Sequence, residues 1–366
     1  MRTIVFTGGG TGGHVYPGLA VWERLPRNLR DRVRWIGSRR GVEREILRTT
    51  GIPYAAIPVG KLRRYFDLEN VLDVFRVGAG TLAARRLLRR LDAAVVFSKG
   101  GFVAVPVVLA ARLLRIPVVI HESDFDPGLA TRITAPLARV ICVPYPETVR
   151  SFPSRLHRRV LVTGNPVRSV FLETEPEDVL SRLGLRDDAR PVLLVTGGSL
   201  GAQQLNRIVA EYLEELTRHC TVVHQTGHHG SILIQELAAR AEPGRYTGAA
   251  GYDREFAPLL RRADLVICRA GAGTIWELAV TGTPAVLIPL DAGSSRGDQV
   301  RNARYYAAAG AAVVPAAGAS SQDVVRLVRT LLADESRRRE MSDAARRFAR
   351  GDGAVTIAGM IRRIIE

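Results

Sequence analysis

Aliphatic and β-branched residues come along this chain in short unbroken runs, separated by longer stretches in which apolar positions recur at helical spacing. The first runs are TIVFT (3–7), VRWIG (33–37), AAVVFS (93–98), VVIH (118–121), RVICV (139–143) and VLVTG (160–164). After an interruption the pattern restarts with PVLLVTGG (191–198), TVVHQTG (221–227), DLVICRAG (264–271), PAVLIPL (284–290) and AAVVP (311–315). An apolar run without alternation marks a strand buried on both faces, and helices between such strands make the sheet parallel. The pattern predicts an α/β chain of two Rossmann-like, doubly wound parallel-sheet domains facing a cleft, with ligands gathered at the carboxyl ends of the strands.

The interruption lies near VTGNPVRSVF (162–171), where Asn165-Pro166 disfavours a continuing regular element and suits a hinge. Residues 1–165 are expected to form the first domain and 166–349 the second. The closing stretch DGAVTIAGMIRRIIE reads as a terminal helix, about 350–366, that packs back on the first domain. A chain of 366 residues supplies enough apolar surface for two such cores.

Charge changes the picture. With 52 Lys and Arg against 36 Asp and Glu the formal net charge is +16, which attracts an anionic partner: nucleic acid, an acidic leaflet or a phosphorylated substrate. No DNA-reading motif or basic, aromatic-bearing platform accompanies it, so nucleic acid is not expected as a partner. Only Lys61 and Lys99 are lysines. The stretch GKLRRYFDLENVLDVFRVGAGTLAARRLLRRLD (60–92) mixes arginine clusters with Leu, Phe and Val. It reads either as cover for a sheet with a solvated basic face or as a basic amphipathic surface resting on anionic lipid, with Gly78 and Gly80 arguing against one unbroken helix. No apolar run approaches the roughly 18 residues of a membrane span, and the opening MRTIVFTGGG carries no signal-peptide core, so any membrane association is expected to be peripheral. Cys142, Cys220 and Cys268 are widely spaced and form no C-x-x-C pair, the pattern of buried reduced thiols.

Chemistry concentrates in glycine loops. Gly8, Gly10 and Gly13 satisfy G-x-G-x-x-G between a strand and a helix, the dinucleotide spelling. A NAD site wants an acid at the end of the second strand, whereas this chain offers Ser38, Arg39 and Arg40; arginines there leave NADP open. A Walker ATPase loop is excluded because no lysine ends the loop. Two further loops, SKGGFVAVP (98–106) and VTGGSLGAQQLN (195–206), stand in the same strand-to-helix context. Backbone N–H groups at a helix N-terminus receive negative charge, so several such loops across two domains point to a phosphorylated ligand.

GGGTGGHVYPGLA, SKGGFVAVPV, HESDFDPGLA, TGNPVR, GGSLGAQQLN and RAGAGTIWELAVTGTPAVLIPL followed by GDQVRNA resemble, in order, the motifs of the MurG family across nearly the whole chain. The resemblance implies a B-type glycosyltransferase fold and no cofactor. It implies transfer of N-acetylglucosamine from UDP-GlcNAc to the 4-hydroxyl of undecaprenyl-diphosphate-linked N-acetylmuramyl-pentapeptide, in peptidoglycan synthesis. It further implies peripheral attachment to an anionic membrane surface, on the cytoplasmic face of the cell membrane. A related transferase with another acceptor, a UDP-sugar epimerase of the same fold and an NADP-binding protein are the alternatives.

Several residues are weighed on this basis. His14 ends the first loop at a helix start, where the dipole favours a neutral imidazole able to act as general base. Glu122 is read as its catalytic support, and His121, with Gly100 and Gly101, as acceptor contacts. Here the chain departs from the family: Ser123 and Asp124 stand where Gln-Asn is common, which puts the donor contact at Asp124 in doubt. Asp124, Phe125 and Asp126 spell D-x-D, but outside the fold that uses it for manganese the match carries no metal site. TIWE (274–277) fits a capping box, yet the resemblance gives Glu277 the ribose hydroxyls, with Ala272, Gly273 and Thr274 near the phosphates. Thr11, Gly12, Gly13, Arg168, Ser199, Asp253 (through backbone around Tyr252) and Gln299, beside Asp298, complete the implied UDP-GlcNAc contacts.

Overall fold

Valine- and isoleucine-rich runs form the strands, and every strand pairs in parallel with its neighbours. The computed structural model describes residues 2–60, 68–173, 178–198, 201–228, 230–290, 297–349 and 351–366. Two compact units result, Met1–Ser169 with Gly351–Glu366, and Val170–Arg350.

The first unit contains β1 (Thr3–Thr7), β2 (Val33–Ser38), β3 (Tyr54–Ile57), β4 (Ala93–Ser98), β5 (Val118–His121), β6 (Val140–Val143) and β7 (Val160–Val162). Their order across the sheet is β3-β2-β1-β4-β5-β6-β7. The second unit contains β8 (Val192–Thr196), β9 (Thr221–Gln225), β10 (Tyr246–Ala249), β11 (Leu265–Cys268), β12 (Ala285–Leu287) and β13 (Ala312–Val313), ordered β10-β9-β8-β11-β12-β13. In each sheet the chain order reverses beside the first strand, between β1 and β4 and between β8 and β11. Crevices at the carboxyl ends of the strands open at such reversals. All the glycine loops considered above leave one of these four strands.

Each sheet is covered on both faces. Phe6 packs against Phe97 with ring centroids 5.0 Å apart, and Trp35 lies 6.0 Å from Phe6. Gly18, in the helix Tyr16–Arg24, leaves room for the Trp35 ring: a Cβ there would stand 2.6 Å from it. The terminal helix Gly353–Ile365 belongs to this unit. Ala354, Ile357, Ala358 and Ile361 form one buried stripe, and Asp352 caps the helix by accepting from the amides of Ala354 (2.9 Å) and Val355 (3.2 Å). Asn165 and Pro166 are buried in the same unit, Asn165 Nδ2 donating to Ser123 O at 3.1 Å, and the division of the chain falls four residues later.

One expectation fails. A single helix spans Leu68–Arg90 and runs through both Gly78 and Gly80. The reason is tertiary. Gly80 is buried where the helix meets Pro58 and Pro106, and a Cβ there would lie 2.2 Å from Pro58 O. The close approach offsets a helix penalty of about 1 kcal/mol per glycine. Gly78 is exposed and faces open space. Gly78→Ala is therefore expected to raise stability by about 0.5–1 kcal/mol, and Gly80→Ala to lower it by about 1–3 kcal/mol. Urea unfolding of the two variants checks the opposite signs.

Candidate active site

In the first unit the loop after β1 closes through the single 3₁₀ turn Gly12–His14 and enters the helix Tyr16–Arg24. Buried side chains hold it from below. Trp35 Nε1 donates to Gly8 O at 3.1 Å. Glu43, 0% exposed, accepts the Gly10 amide through Oε2 (3.1 Å), and the Ser38 amide (2.9 Å) and hydroxyl through Oε1. Burial would raise the Glu43 pKa, but these hydrogen bonds together hold it below the ordinary carboxylate value. The acid sought after β2 for a dinucleotide ribose is therefore present, five residues on, and is spent on the glycine loop itself.

The loop after β4 packs against the first. Gly101 adopts φ +75°, and a Cβ on it would stand 2.5 Å from Gly9 O and 3.4 Å from His14 Cγ. Only glycine permits this approach, which places Gly100 and Gly101 beside the His14 ring. His14 is half-buried, and its Nδ1 lies 2.8 Å from Thr11 Oγ1. With Nδ1–H as the donor, Nε2 carries the lone pair that a general base needs. Arg168 belongs to this unit, its guanidinium 4.7 Å from the Tyr16 ring centroid.

At the end of β5 the structure redistributes roles. His121 is 1% exposed and its Nε2 lies 3.1 Å from Gly164 O, bracing β5 against the segment after β7. Burial and the nearby Lys99 charge push its pKa well down, so the imidazole is neutral. The residue read from the sequence as an acceptor contact is thus a buried brace between β5 and that segment. Glu122 accepts from the amides of Ser123 (2.8 Å) and Asp124 (3.1 Å) with Oε1 and of Gly128 (2.9 Å) with Oε2. It organises the 123–128 loop. Asp126 accepts the Ser151 hydroxyl at 3.3 Å.

In the second unit the loop after β8 leads to the helix Gln203–His219; Ser199 lies outside the described residues. The loop after β11 leads to the helix Ala272–Thr281, whose N-cap is Gly271. Thr274 therefore stands inside the first turn and makes no capping bond, so TIWE is not a capping box here. The helix starts earlier because Gly271 takes the extended conformation that ends the loop, and Ala272, Gly273 and Thr274 supply the unbonded first-turn amides. A Cβ at Gly273 would meet nothing within 4 Å, so open space lies beside this residue. Glu277 follows on the same helix. Burial, helped by the Glu277 charge, pushes the Cys268 thiol up to about 12, which sets this carboxylate by the carboxyl end of β11. Gln299, in the helix Asp298–Ala308, accepts the Leu290 amide through Oε1 at 3.0 Å. Asp253 is exposed in the bend after β10.

Residues 4–143 match the glycosyltransferase family 28 N-terminal domain, and residues 192–357 match its C-terminal domain. Over a 382-position alignment the chain is 42% identical to the UDP-N-acetylglucosamine–N-acetylmuramyl-(pentapeptide) pyrophosphoryl-undecaprenol N-acetylglucosamine transferase of Treponema denticola, covering 99% of this chain and 97% of that one. The chain belongs to the MurG family. Acinetobacter baumannii MurG superposes with a TM-score of 0.75 at 28% identity, over 99% of this chain and 100% of the other. The UDP-GlcNAc 2-epimerase of Neisseria meningitidis, solved with UDP-GlcNAc, shares the fold at 15% identity and a TM-score of 0.69, over 99% of this chain and 100% of that one. Two residues that shape this MurG-family site were not singled out from the sequence as site residues. Glu43 carried no local signal beyond being an acid shortly after β2. Lys99 did carry one, as one of two lysines in a chain whose cations are otherwise arginines.

Proposed function

We propose that this protein is an inverting glycosyltransferase that moves N-acetylglucosamine from UDP-GlcNAc to the 4-hydroxyl of lipid-linked N-acetylmuramyl-pentapeptide. The observation that carries this reading is the 42% identity to a transferase of that name over the length of both chains, spanning every glycine loop described above. The second unit holds the donor: first-turn amides of Ala272–Thr281 for the diphosphate, Glu277 for the ribose hydroxyls, Gln299 for the sugar. Ser199 and the backbone at Asp253 are assigned to the same ligand. In the first unit Thr11, Gly12, Gly13, Asp124 and Arg168 approach the donor, and Gly100 and Gly101 the acceptor.

His14 Nε2 takes the proton of the muramyl 4-hydroxyl as that oxygen bonds to the anomeric carbon. The bond from that carbon to the diphosphate oxygen breaks on the opposite face, and its electron pair leaves with UDP. One base suffices for one inversion. Helix N-terminal amides and Arg168 stabilise the charge that develops on the leaving diphosphate.

The place of work is the cytoplasmic face of the cell membrane, bound peripherally. Among the described residues no helix is long and apolar enough to cross a membrane. Val74, Phe75 and Leu82 are exposed on the helix Leu68–Arg90, with exposed Arg76, Arg86, Arg89 and Arg90 on the same helix. That combination suits an anionic lipid surface, where each nearby cation contributes about 1 kcal/mol.

Incubation with labelled UDP-GlcNAc and lipid-linked muramyl-pentapeptide is expected to give labelled lipid-linked disaccharide. Absence of transfer refutes the reading, and conversion of UDP-GlcNAc to its 2-epimer without lipid replaces it with the epimerase.

A further inference from the structure

Glu43 follows β2 by five residues, and β2 pairs with β1, so its carboxylate reaches the turn that leaves β1. Glycine backbone closes on it from two sides. A Cβ on Gly9 would stand 2.5 Å from Glu43 Cδ, and one on Gly41 would overlap the same carboxylate. Both oxygens are engaged, Oε2 by the Gly10 amide and Oε1 by the amide and hydroxyl of Ser38. Ser38 is held in turn, its carbonyl accepting the Tyr54 hydroxyl from the neighbouring strand β3. Gly10 adopts φ +88°, and a Cβ on it would lie 2.7 Å from the Phe102 ring, so this residue has the ring on one side and the carboxylate at its amide. Thr11 comes next. Its carbonyl accepts the His14 amide at 3.1 Å, and its Oγ1 lies 2.8 Å from His14 Nδ1. The path from buried carboxylate to imidazole therefore runs through Gly10 and Thr11 alone, and its first link is of the stronger, charge-assisted kind.

We infer that Glu43 is a positioning residue of the transfer reaction: by fixing the Gly10 peptide it sets where Thr11 presents the His14 imidazole to the attacking hydroxyl. The inference rests on the transferase reading above, with His14 as the base. Glu43 is buried, touches no substrate and moves no proton; it acts on the rate only through His14. Placement of the base is worth this support, because a shift of about 1 Å at a reacting group costs on the order of a hundredfold in rate. A glutamine could not replace the carboxylate. It has one acceptor oxygen where Gly10 and Ser38 need two, so one of their amides would face an N–H donor.

The test is a double-mutant cycle with His14. Glu43→Gln is expected to lower kcat by about tenfold or more at a nearly unchanged KM for UDP-GlcNAc, and to cost less than about threefold further in a His14→Ala background, where no base is left to place. A merely damaged fold would cost the same factor in both backgrounds. Unchanged kcat in the single variant, or equal losses in the two backgrounds, overturns the inference. A second measurement needs no activity. Backbone amide exchange over residues 8–14 is expected to quicken by about tenfold or more in Glu43→Gln while β4 and β5 keep their protection. Unchanged exchange over 8–14, or faster exchange throughout the first unit, refutes the role. Glu43→Asp, which keeps the charge but draws it back by one methylene, takes both measurements should Glu43→Gln not fold. If the parent protein transfers no sugar, the transferase reading fails while the exchange measurement still decides whether Glu43 fixes the loop.

Discussion

His14→Ala is expected to lower kcat by about 10²–10⁴-fold with little change in KM for UDP-GlcNAc. The imidazole projects from a one-turn 3₁₀ segment, half-buried, and its removal leaves the neighbouring glycine loops without a new clash. What is lost is the proton acceptor for the attacking hydroxyl. Thr11→Val removes the partner that orients Nδ1, 2.8 Å away, and is expected to cost about tenfold in kcat by releasing the ring's tautomer. A His14→Ala enzyme within threefold of the parent would move the base elsewhere and leave the transferase reading standing.

Glu122→Ala is expected to destabilise the first unit by about 3–5 kcal/mol, because three backbone amides lose a charged acceptor in a buried setting. A unit of this size should then melt roughly 10 °C lower. Glu122→Gln keeps the shape but turns an N–H toward amides that also donate, so an intermediate loss follows. Thermal unfolding measured beside kcat separates the two roles proposed for this residue. A fall in melting temperature with the pH profile of kcat preserved marks a loop organiser. An unchanged melting temperature with a kcat reduced about a hundredfold marks the catalytic support read from the sequence.

The uneven legibility of the strands has a physical basis. Central strands such as β1, β4 and β5 were visible because burial on both faces demands continuous Val and Ile, and their ends agree with the apolar runs. The edge strands β3 and β10 were not anticipated. Their sequences, YAAI and YTGA, are short and rich in small residues, and each has one hydrogen-bonded neighbour and less apolar surface to bury. The helix Leu68–Arg90 hid behind its two glycines because helix propensity knows nothing of Pro58. TIWE spells a capping box locally, but Gly271 starts the helix three residues earlier and leaves that spelling unused.

Local pattern by itself determined the two doubly wound sheets, the four strand ends that bear glycine loops, and the ordered motifs that place the chain in its family. Those features repeat at short range, with periods set by strands and helices, so they can be read in order along the chain. Tertiary structure alone decided which side chains hold the loops in place. Glu43 reaches Gly10 across 33 positions because β2 lies next to β1, and Gly101 meets Gly9 and His14 because β4 lies next to β1. The same long-range packing makes His121 a buried brace, its Nε2 3.1 Å from Gly164 O in the segment after β7. Strand order is a long-range choice, and the contacts that hold these loops exist only once that choice is made.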